Sequence, residues 1–270
     1  MEDMNIEETG ILESMDVISD FQKRANNFEE RSQWVTDKII NNIPFEFLSF
    51  RKDLGDIFDA GGGTGYLSYY LISKMPATSV TIVDASINML QKARERLPEA
   101  VTVNGTIESY CRMNNRKFDT ILARQIFHYV DNTNLIIRLL RDKLKDNGIL
   151  YVGQFVVHDE ETSVWNNLLM KEISKSRRRS FIINDFIDLF LQNGFKVLEF
   201  CTTNYQDNLK DFYKRRTNNE CSYEILLKNM TEAVNENIKK KMDLKLIDDN
   251  MFFSYQFCHL ALVKEYYNMV

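Results

Sequence analysis

Proline is almost missing from this chain, with three in 270 residues, and glycine is scarce, with ten. So few turn formers exclude a fold of many short strands joined by tight turns, and they exclude proline- or glycine-rich linker tracts. Cysteine is thin and scattered. Cys111, Cys201, Cys221 and Cys258 form no CxxC pair, which argues against a disulfide framework or a zinc site and for reduced thiols in a cytoplasmic protein. No apolar run approaches the ~20 residues that span a bilayer, so no membrane partner is expected. The first twenty residues are acidic and lack a long apolar stretch, so they do not read as a signal peptide. There is no excess of basic residues. The net charge of −5 opposes a general nucleic-acid binder, because nothing is left over to neutralise phosphates. Internal repeats and low-complexity tracts are absent.

What the chain does have is 44% hydrophobic residues, enough for one well-buried core with additions. Four of its ten glycines are packed into positions 61–65. They follow a short apolar run, Asp56-Ile57-Phe58, and precede Leu67, Tyr70, Leu71 and Met75 at helical spacing. The stretch therefore reads as strand, tight turn, helix. Glycine allows positive φ and close approach of a ligand to the backbone. The free N–H groups at the start of a helix attract negative charge. A nucleotide-like ligand is the natural occupant.

The rest of the chain is organised around this turn. The pattern Ile18, Phe21, Ala25, Phe28 predicts a helix from Ser14. A second helix is expected over Ser32 to Ile43, with Trp34, Val35, Ile39 and Ile40 on one face and its end near Pro44. Strands are expected at 57–60, 79–84, 101–104, 118–123 and 149–157, separated by helices at 65–75, 86–97, 106–113 and 132–145. Such alternation implies βαβ units and a mostly parallel sheet. Beyond it lie an inserted helix at 160–180, a helix at 183–193, a strand at 195–202, two or three amphipathic helices within 206–244, and a last strand at 251–263. Residues 1–54 read as an N-terminal helical extension or lid, and 55–270 as the ligand-binding domain with its insertions.

The glycine spacing discriminates between ligands. A dinucleotide fingerprint, GxGxxG, would put its third glycine at position 66, where Tyr66 stands. Asp59, just before the glycines, would repel a pyrophosphate but suits an ammonium group. Asp84 closes the second strand, where a carboxylate can accept from both hydroxyls of a ribose. An ammonium, a carboxylate, a ribose and no phosphate together describe S-adenosylmethionine.

Asp59-Ala-Gly-Gly-Gly-Thr-Gly65, followed by Val83-Asp84-Ala85-Ser86 and Met89-Leu90, resembles the class I S-adenosylmethionine-dependent methyltransferases. The similarity runs from about 55 to 157 and resumes weakly at 181–202. It implies an α/β, Rossmann-like, seven-stranded and mostly parallel sheet with helices on both faces, its last strand antiparallel. It also implies that Gly61, Gly63 and Gly65 carry the methionine part and that Asp84 binds the ribose. Ala85 and Met89 would lie by the nucleoside, and Asn104-Gly105-Thr106-Ile107-Glu108 would form the adenine turn, with Thr106 where the family often has Asp. The segment Phe118 to Tyr129 resembles the fourth strand and the loop after it. In plant-type O-methyltransferases a histidine in a similar segment is the base, which makes His128 a candidate base; packing or hydrogen bonding alone is the other reading.

Around this site Arg124 is a candidate for cofactor contact, and Tyr66, Gln125, Tyr129 and His158 for the acceptor. Phe21, Phe28 and Trp34 either line the acceptor pocket or pack on the core. His259, in mid-strand, reads as a core residue. Arg177-Arg178-Arg179 and Lys239-Lys240-Lys241 read as solvated basic faces. No metal site is expected. The expected activity is methyl transfer from S-adenosylmethionine to an oxygen or nitrogen of a small metabolite, in a monomer or a homodimer. The alternatives are a NAD-type oxidoreductase and a non-catalytic S-adenosylmethionine-binding protein.

Overall fold

Residues 15, 17–173, 179–215 and 222–265 are described in a computed structural model. The described residues open with a helix at 17–24 (α1), then a 3-10 turn at Ala25–Asn27, α2 (Phe28–Arg31), a second 3-10 turn at Gln33–Val35 and α3 (Lys38–Leu48). The alternating part is β1 (Asp56–Ala60), α4 (Tyr66–Ile72), β2 (Ser79–Asp84), α5 (Ile87–Arg96), β3 (Val101–Asn104), α6 (Ile107–Met113), β4 (Phe118–Arg124), α7 (Thr133–Lys143) and β5 (Leu144–Val156). There follow α8 (Glu160–Ile173), α9 (Ile183–Gln192), β6 (Phe195–Asn208), α10 (Leu209–Arg215), α11 (Tyr223–Glu232), α12 (Glu236–Lys241), β7 (Lys245–Ile247) and β8 (Asn250–Lys264).

The strands form one sheet in the order β3-β2-β1-β4-β5-β8-β6, with short β7 added beside β8. β1 to β5 pair in parallel; β8 runs antiparallel to both β5 and β6. The expected seven-stranded sheet is thus present with an eighth short strand. The order reverses between β1 and β4, so the C-terminal ends of these strands open a crevice where ligands of such sheets bind.

Neighbouring strand residues point to opposite faces, and the inner strands β1, β2, β4 and β5, covered on both, are buried along most of their length, whereas β3 and β6 are largely exposed or half-buried. Phe58 packs with α6, α7 and α9 through Tyr110, Ile137 and Phe190. Ile57 packs on the other face with Leu48 of α3, Leu71 of α4 and Leu90 of α5. A third cluster, around Trp165, Leu226, Met230 and Phe253, lies beneath α8 and α10–α12.

Several boundaries differ from those expected, each for a tertiary reason. The helix from Ser14 breaks at Ala25, and Trp34 and Val35 belong to a 3-10 turn rather than to the face of α3. Ile39 is exposed while Ile40 is buried. Helix α3 is capped by Asp37, whose carboxylate accepts from the Ile40 N–H at 2.9 Å, and it runs through Pro44 to Leu48 because Pro44 and Leu48 are both buried. Strand β5 starts at Leu144, and residues 145–148 are absorbed as an irregularity opposite Phe118–Thr120. Strand β6 continues to Asn208 because its ladder with β8 persists to Asn208–Phe252. The 206–244 region then supplies three helices. Most of the 175–179 basic run and Cys221 lie outside the described residues. Arg179 is bound rather than solvated, donating to the Asp131 carbonyl at 2.8 Å. Among the described residues no helix is long and apolar enough to cross a membrane.

Strand β8 joins the parallel half of the sheet to β6, and Leu260 at its centre is fully buried. Leu260→Ala is expected to cost about 2–5 kcal/mol, read as a lowered midpoint in urea unfolding at unchanged slope.

Candidate functional site

The turn after β1 is built by its glycines. Gly61, Gly63 and Gly65 have φ of 66°, 56° and 71°, a region closed to most side chains. The N–H groups of Gly61 and Gly62 both donate to the Val83 carbonyl, at 2.8 and 3.2 Å, which ties the turn to the end of β2. At Gly63 a side chain would meet nothing within 4 Å, and this residue forms part of a cavity wall. Gly65 is different. A Cβ there would press on Ile82 and Ala93 at 3.1 and 3.3 Å, so this glycine serves the packing of α4 on the sheet and is not in the cavity wall.

The cavity has a volume of about 380 Å³. Its wall contains Asp59, Gly61, Gly63, Tyr66, Asp84, Ala85, Met89, Thr106, Ile107, Arg124, Gln125, His128 and Tyr129, all singled out in the sequence. His158 is not there. Its N–H donates to the Thr162 hydroxyl at 3.1 Å at the start of α8, and its imidazole lies by the backbone of Lys241 in α12.

Asp84 is oriented before any ligand arrives. One carboxylate oxygen accepts from the Gly63 N–H at 2.9 Å and the other from the Ser86 N–H at 2.8 Å. Burial raises its pKa, and the two backbone donors oppose that rise. Thr106 caps α6, accepting from the Ser109 N–H at 3.1 Å, so a hydroxyl here replaces an acid as the helix cap. Glu108, also in the wall, pairs with Arg112 along α6 at 2.9 Å.

Asp59 is nearly inaccessible, with 2% of its surface exposed. One oxygen accepts from the Ser68 hydroxyl at 2.7 Å. Burial nevertheless pushes its pKa up to about 6, against the effects of Ser68 and of the Arg124 charge. Arg124 donates to the Asn41 side chain at 2.8 Å, and its guanidinium lies 5.2 Å over the Trp34 ring. Asn41 is itself fully buried and fixed by donating to the carbonyls of Val35 and Asp37 at 2.8 and 2.6 Å.

His128 is buried, and its Nδ1 lies 2.7 Å from Nε2 of Gln154. Its ring is 4.0 Å from that of Tyr129, which meets Phe21 of α1 edge-on at 5.0 Å. Phe21, Phe28 and Trp34 all line the cavity, so these aromatics are wall as well as packing. The segment is latched to the glycine turn. Glu29 accepts from the Thr64 hydroxyl at 2.7 Å and pairs with Arg96 at 2.7 Å, while Arg96 stacks 5.2 Å over Tyr66.

Sequence reasoning missed Glu29, Asn41 and Gln154, and also Tyr205, Asp207, Phe212 and Tyr255, which complete the far wall. The alternating pattern of β8 was visible, but which of its faces meets the cavity depends on the pairing of Tyr255 with Tyr205 across strands. His259, as expected, is a satisfied core residue held between Tyr151 and Thr203 at 2.9 and 3.0 Å, with burial pushing its pKa down to about 3. Among the described residues no cluster of three or more metal-ligating side chains occurs.

Residues 58–150 match the methyltransferase domain family. The malonyl-[acyl-carrier protein] O-methyltransferase of Acetivibrio thermocellus is 26% identical over 135 residues, covering 50% of this chain and 47% of that protein. The trans-aconitate 2-methyltransferase of an Enterobacter species is 28% identical over 160 residues, covering 57% and 61%. The chain thus spans about half the length of the curated relatives it matches. In three dimensions it shares the fold of an S-adenosylmethionine-dependent methyltransferase from Thiobacillus denitrificans solved with S-adenosylhomocysteine (TM-score 0.53, 13% identity, 85% of this chain and 92% of that one).

The buried Asp59 carboxyl has a testable signature. A folded-state pKa near 6, above the 3.8 of an unperturbed group, means that the folded state holds a proton that the unfolded chain has released. Stability is therefore lost as pH rises from about 4 to 6. Asp59→Asn, in the ligand-free protein, is expected to be more stable than the parent by on the order of 2 kcal/mol at pH 8 and equal to it near pH 4, by urea unfolding at both pH values.

Proposed function

We propose that this chain, whose residues 58–150 form a class I methyltransferase domain, transfers a methyl group from S-adenosylmethionine to an oxygen of a small molecule. The observation that carries the reading is the convergence on one cavity of three features. These are a glycine turn with an open face at Gly63, a carboxylate at Asp84 already oriented by two backbone N–H groups, and a buried carboxyl at Asp59. An ammonium suits Asp59 and a pyrophosphate does not. The ribose hydroxyls suit Asp84, and the adenine suits the apolar edge made by Ala85, Met89 and Ile107, with Thr106 at the turn. Arg124, held by Asn41, would lie beside the methionine part.

S-adenosylmethionine supplies an electrophilic methyl group on a positively charged sulfur. The protein's task is to hold the acceptor in line with it and to exclude water, and such positioning accounts for much of the acceleration in reactions of this kind. Residues 17–35 and helix α10, through Phe212, are suited to that task as a lid over the acceptor end, with Tyr66, Gln125, His128 and Tyr129 around it. The names of the curated relatives, both methyltransferases and one of them an O-methyltransferase, support an oxygen acceptor.

A labelled-methyl transfer screen over small metabolites tests the activity, and incorporation into an organic acceptor is the expected result. Asp84→Ala should weaken S-adenosylhomocysteine binding roughly 100-fold, the loss of two charge-assisted hydrogen bonds, in calorimetric titration. The pH dependence follows from Asp59: affinity should be level above about pH 6 and fall below it, as the carboxyl takes up the proton that an ammonium partner would displace.

A further inference from the structure

We propose that Glu29 is the catch of a strap. Residues 22–29 cross the cofactor half of the cavity, and breaking the bridge from Glu29 to Thr64 and Arg96 governs how fast S-adenosylmethionine enters and S-adenosylhomocysteine leaves. This rests on the methyl-transfer reading of the cavity.

The span is pinned at both ends to elements that border the cofactor. At one end Asn88, in the first turn of α5, donates to the Gln22 carbonyl at 3.0 Å. At the other, Glu29 closes a ring with the glycine turn. One carboxylate oxygen accepts from the Thr64 hydroxyl at 2.7 Å and from Arg96 at 2.7 Å; the second accepts from Arg96 at 3.0 Å. Arg96 also donates to the Thr64 carbonyl at 2.7 Å and lies over the Tyr66 ring. A two-pronged, charge-assisted contact of this kind fixes geometry as well as supplying energy. Between the pins, Arg24 and Phe28 belong to the same cavity wall as Gly63, Asp84, Ala85 and Met89. Arg24 is buried, paired with Asp20 at 2.8 Å, and lies 4.8 and 5.7 Å over the rings of Phe21 and Phe28, which stiffens the span. A ligand that reaches from Gly63 to Met89 lies beneath it.

The strap has a fixed side and a releasable side. After Ser32 the chain is anchored. Val35 is buried, Trp34 packs on Phe155 and Phe257 at 5.9 and 6.1 Å, and the buried Asn41 holds Arg124. Ser32 joins α2 to the second 3-10 turn with φ −123° and ψ 63°, outside the helical region. A residue so placed between packed elements is where a hinge absorbs its change of angle. On the far side of this pivot, the side chains of Arg96 and Glu29 are 23% and 26% exposed, so water reaches the ring and can replace its bonds.

Glu29 is absent from the cavity wall and acts through Thr64 and Arg96, which makes it a positioning residue. None of the bonds in the ring involves the cofactor, so the catch closes equally on an empty and on a loaded cavity. Weakening it raises the open fraction of both forms. Entry and departure then quicken together and Kd stays in place. A side chain that touched the cofactor would instead speed departure alone.

Trp34 lines the cavity and is one of two tryptophans, so stopped-flow fluorescence follows the binding of S-adenosylhomocysteine. Glu29→Gln and, separately, Arg96→Met should each quicken association and dissociation about tenfold, with Kd within about threefold of the parent value. The double variant should be no faster than either single one, because both remove the same bridge. Unchanged rates in folded variants overturn the proposal, as does faster dissociation with association unaltered. Where neither variant folds, the parent decides: added salt screens the partly exposed pair and should quicken both rates, and rates indifferent to salt overturn the proposal. Failure of the parent to bind S-adenosylhomocysteine would instead remove the methyl-transfer reading.

Discussion

A carboxylate taken out of water needs a partner or a proton, and Asp59 sits at the end of a central strand with neither fully supplied. Ser68 satisfies one oxygen and Arg124 contributes charge nearby, yet burial still lifts the group to about pH 6. The surrounding architecture makes sense as a way of keeping that cost local. The glycines leave the turn open above it. Gly62 must stay small because a Cβ there would strike the Asp59 carboxylate at 2.6 Å. Arg124 is anchored by Asn41, so its charge stays where it is instead of collapsing onto the carboxylate. A positively charged ligand group would complete the arrangement, which places recognition in the binding step.

The same logic extends to the cavity roof. The N-terminal segment contributes aromatic wall through Phe21, Phe28 and Trp34, but its attachment to the core is polar. Glu29 meets Thr64 and Arg96 at the glycine turn, and Asn88 donates to the Gln22 carbonyl at 3.0 Å. These contacts lie at the rim, partly exposed, where ion pairs contribute little to stability. They set the register of the roof on the glycine turn. On the opposite side β6 and β8 project past the sheet and carry α10–α12. One end of the cavity is thus made by the parallel half of the sheet, and the other by elements added around it.

That division governs what could be read from the sequence. Gly61, Gly63 and Asp84 were legible as wall residues because their places are local, a turn that needs positive φ and a strand end, while Met89 came from the family resemblance. The parallel order followed from the alternation of strands with helices. Gly65 was legible as a required glycine but not as a packing residue, since Ala93 meets it only once α5 is docked. Asn41, Gln154 and Glu29 were invisible because nothing in their neighbourhood marks them. Each acquires its role from a partner far away in the chain: Arg124, His128 and Arg96. His158 was misplaced by proximity to β5, as the chain turns into α8 and carries the imidazole away toward α12. The helix boundary at Pro44 was misjudged because tertiary burial outweighed the local penalty of proline.

The central claim is that the cavity is made for a methionine-bearing nucleoside. Calorimetric titration of the unmodified protein with S-adenosylhomocysteine and, separately, with NAD tests it most directly. The account predicts micromolar binding of S-adenosylhomocysteine and no measurable heat with NAD. Binding of NAD, with none of S-adenosylhomocysteine, would contradict it.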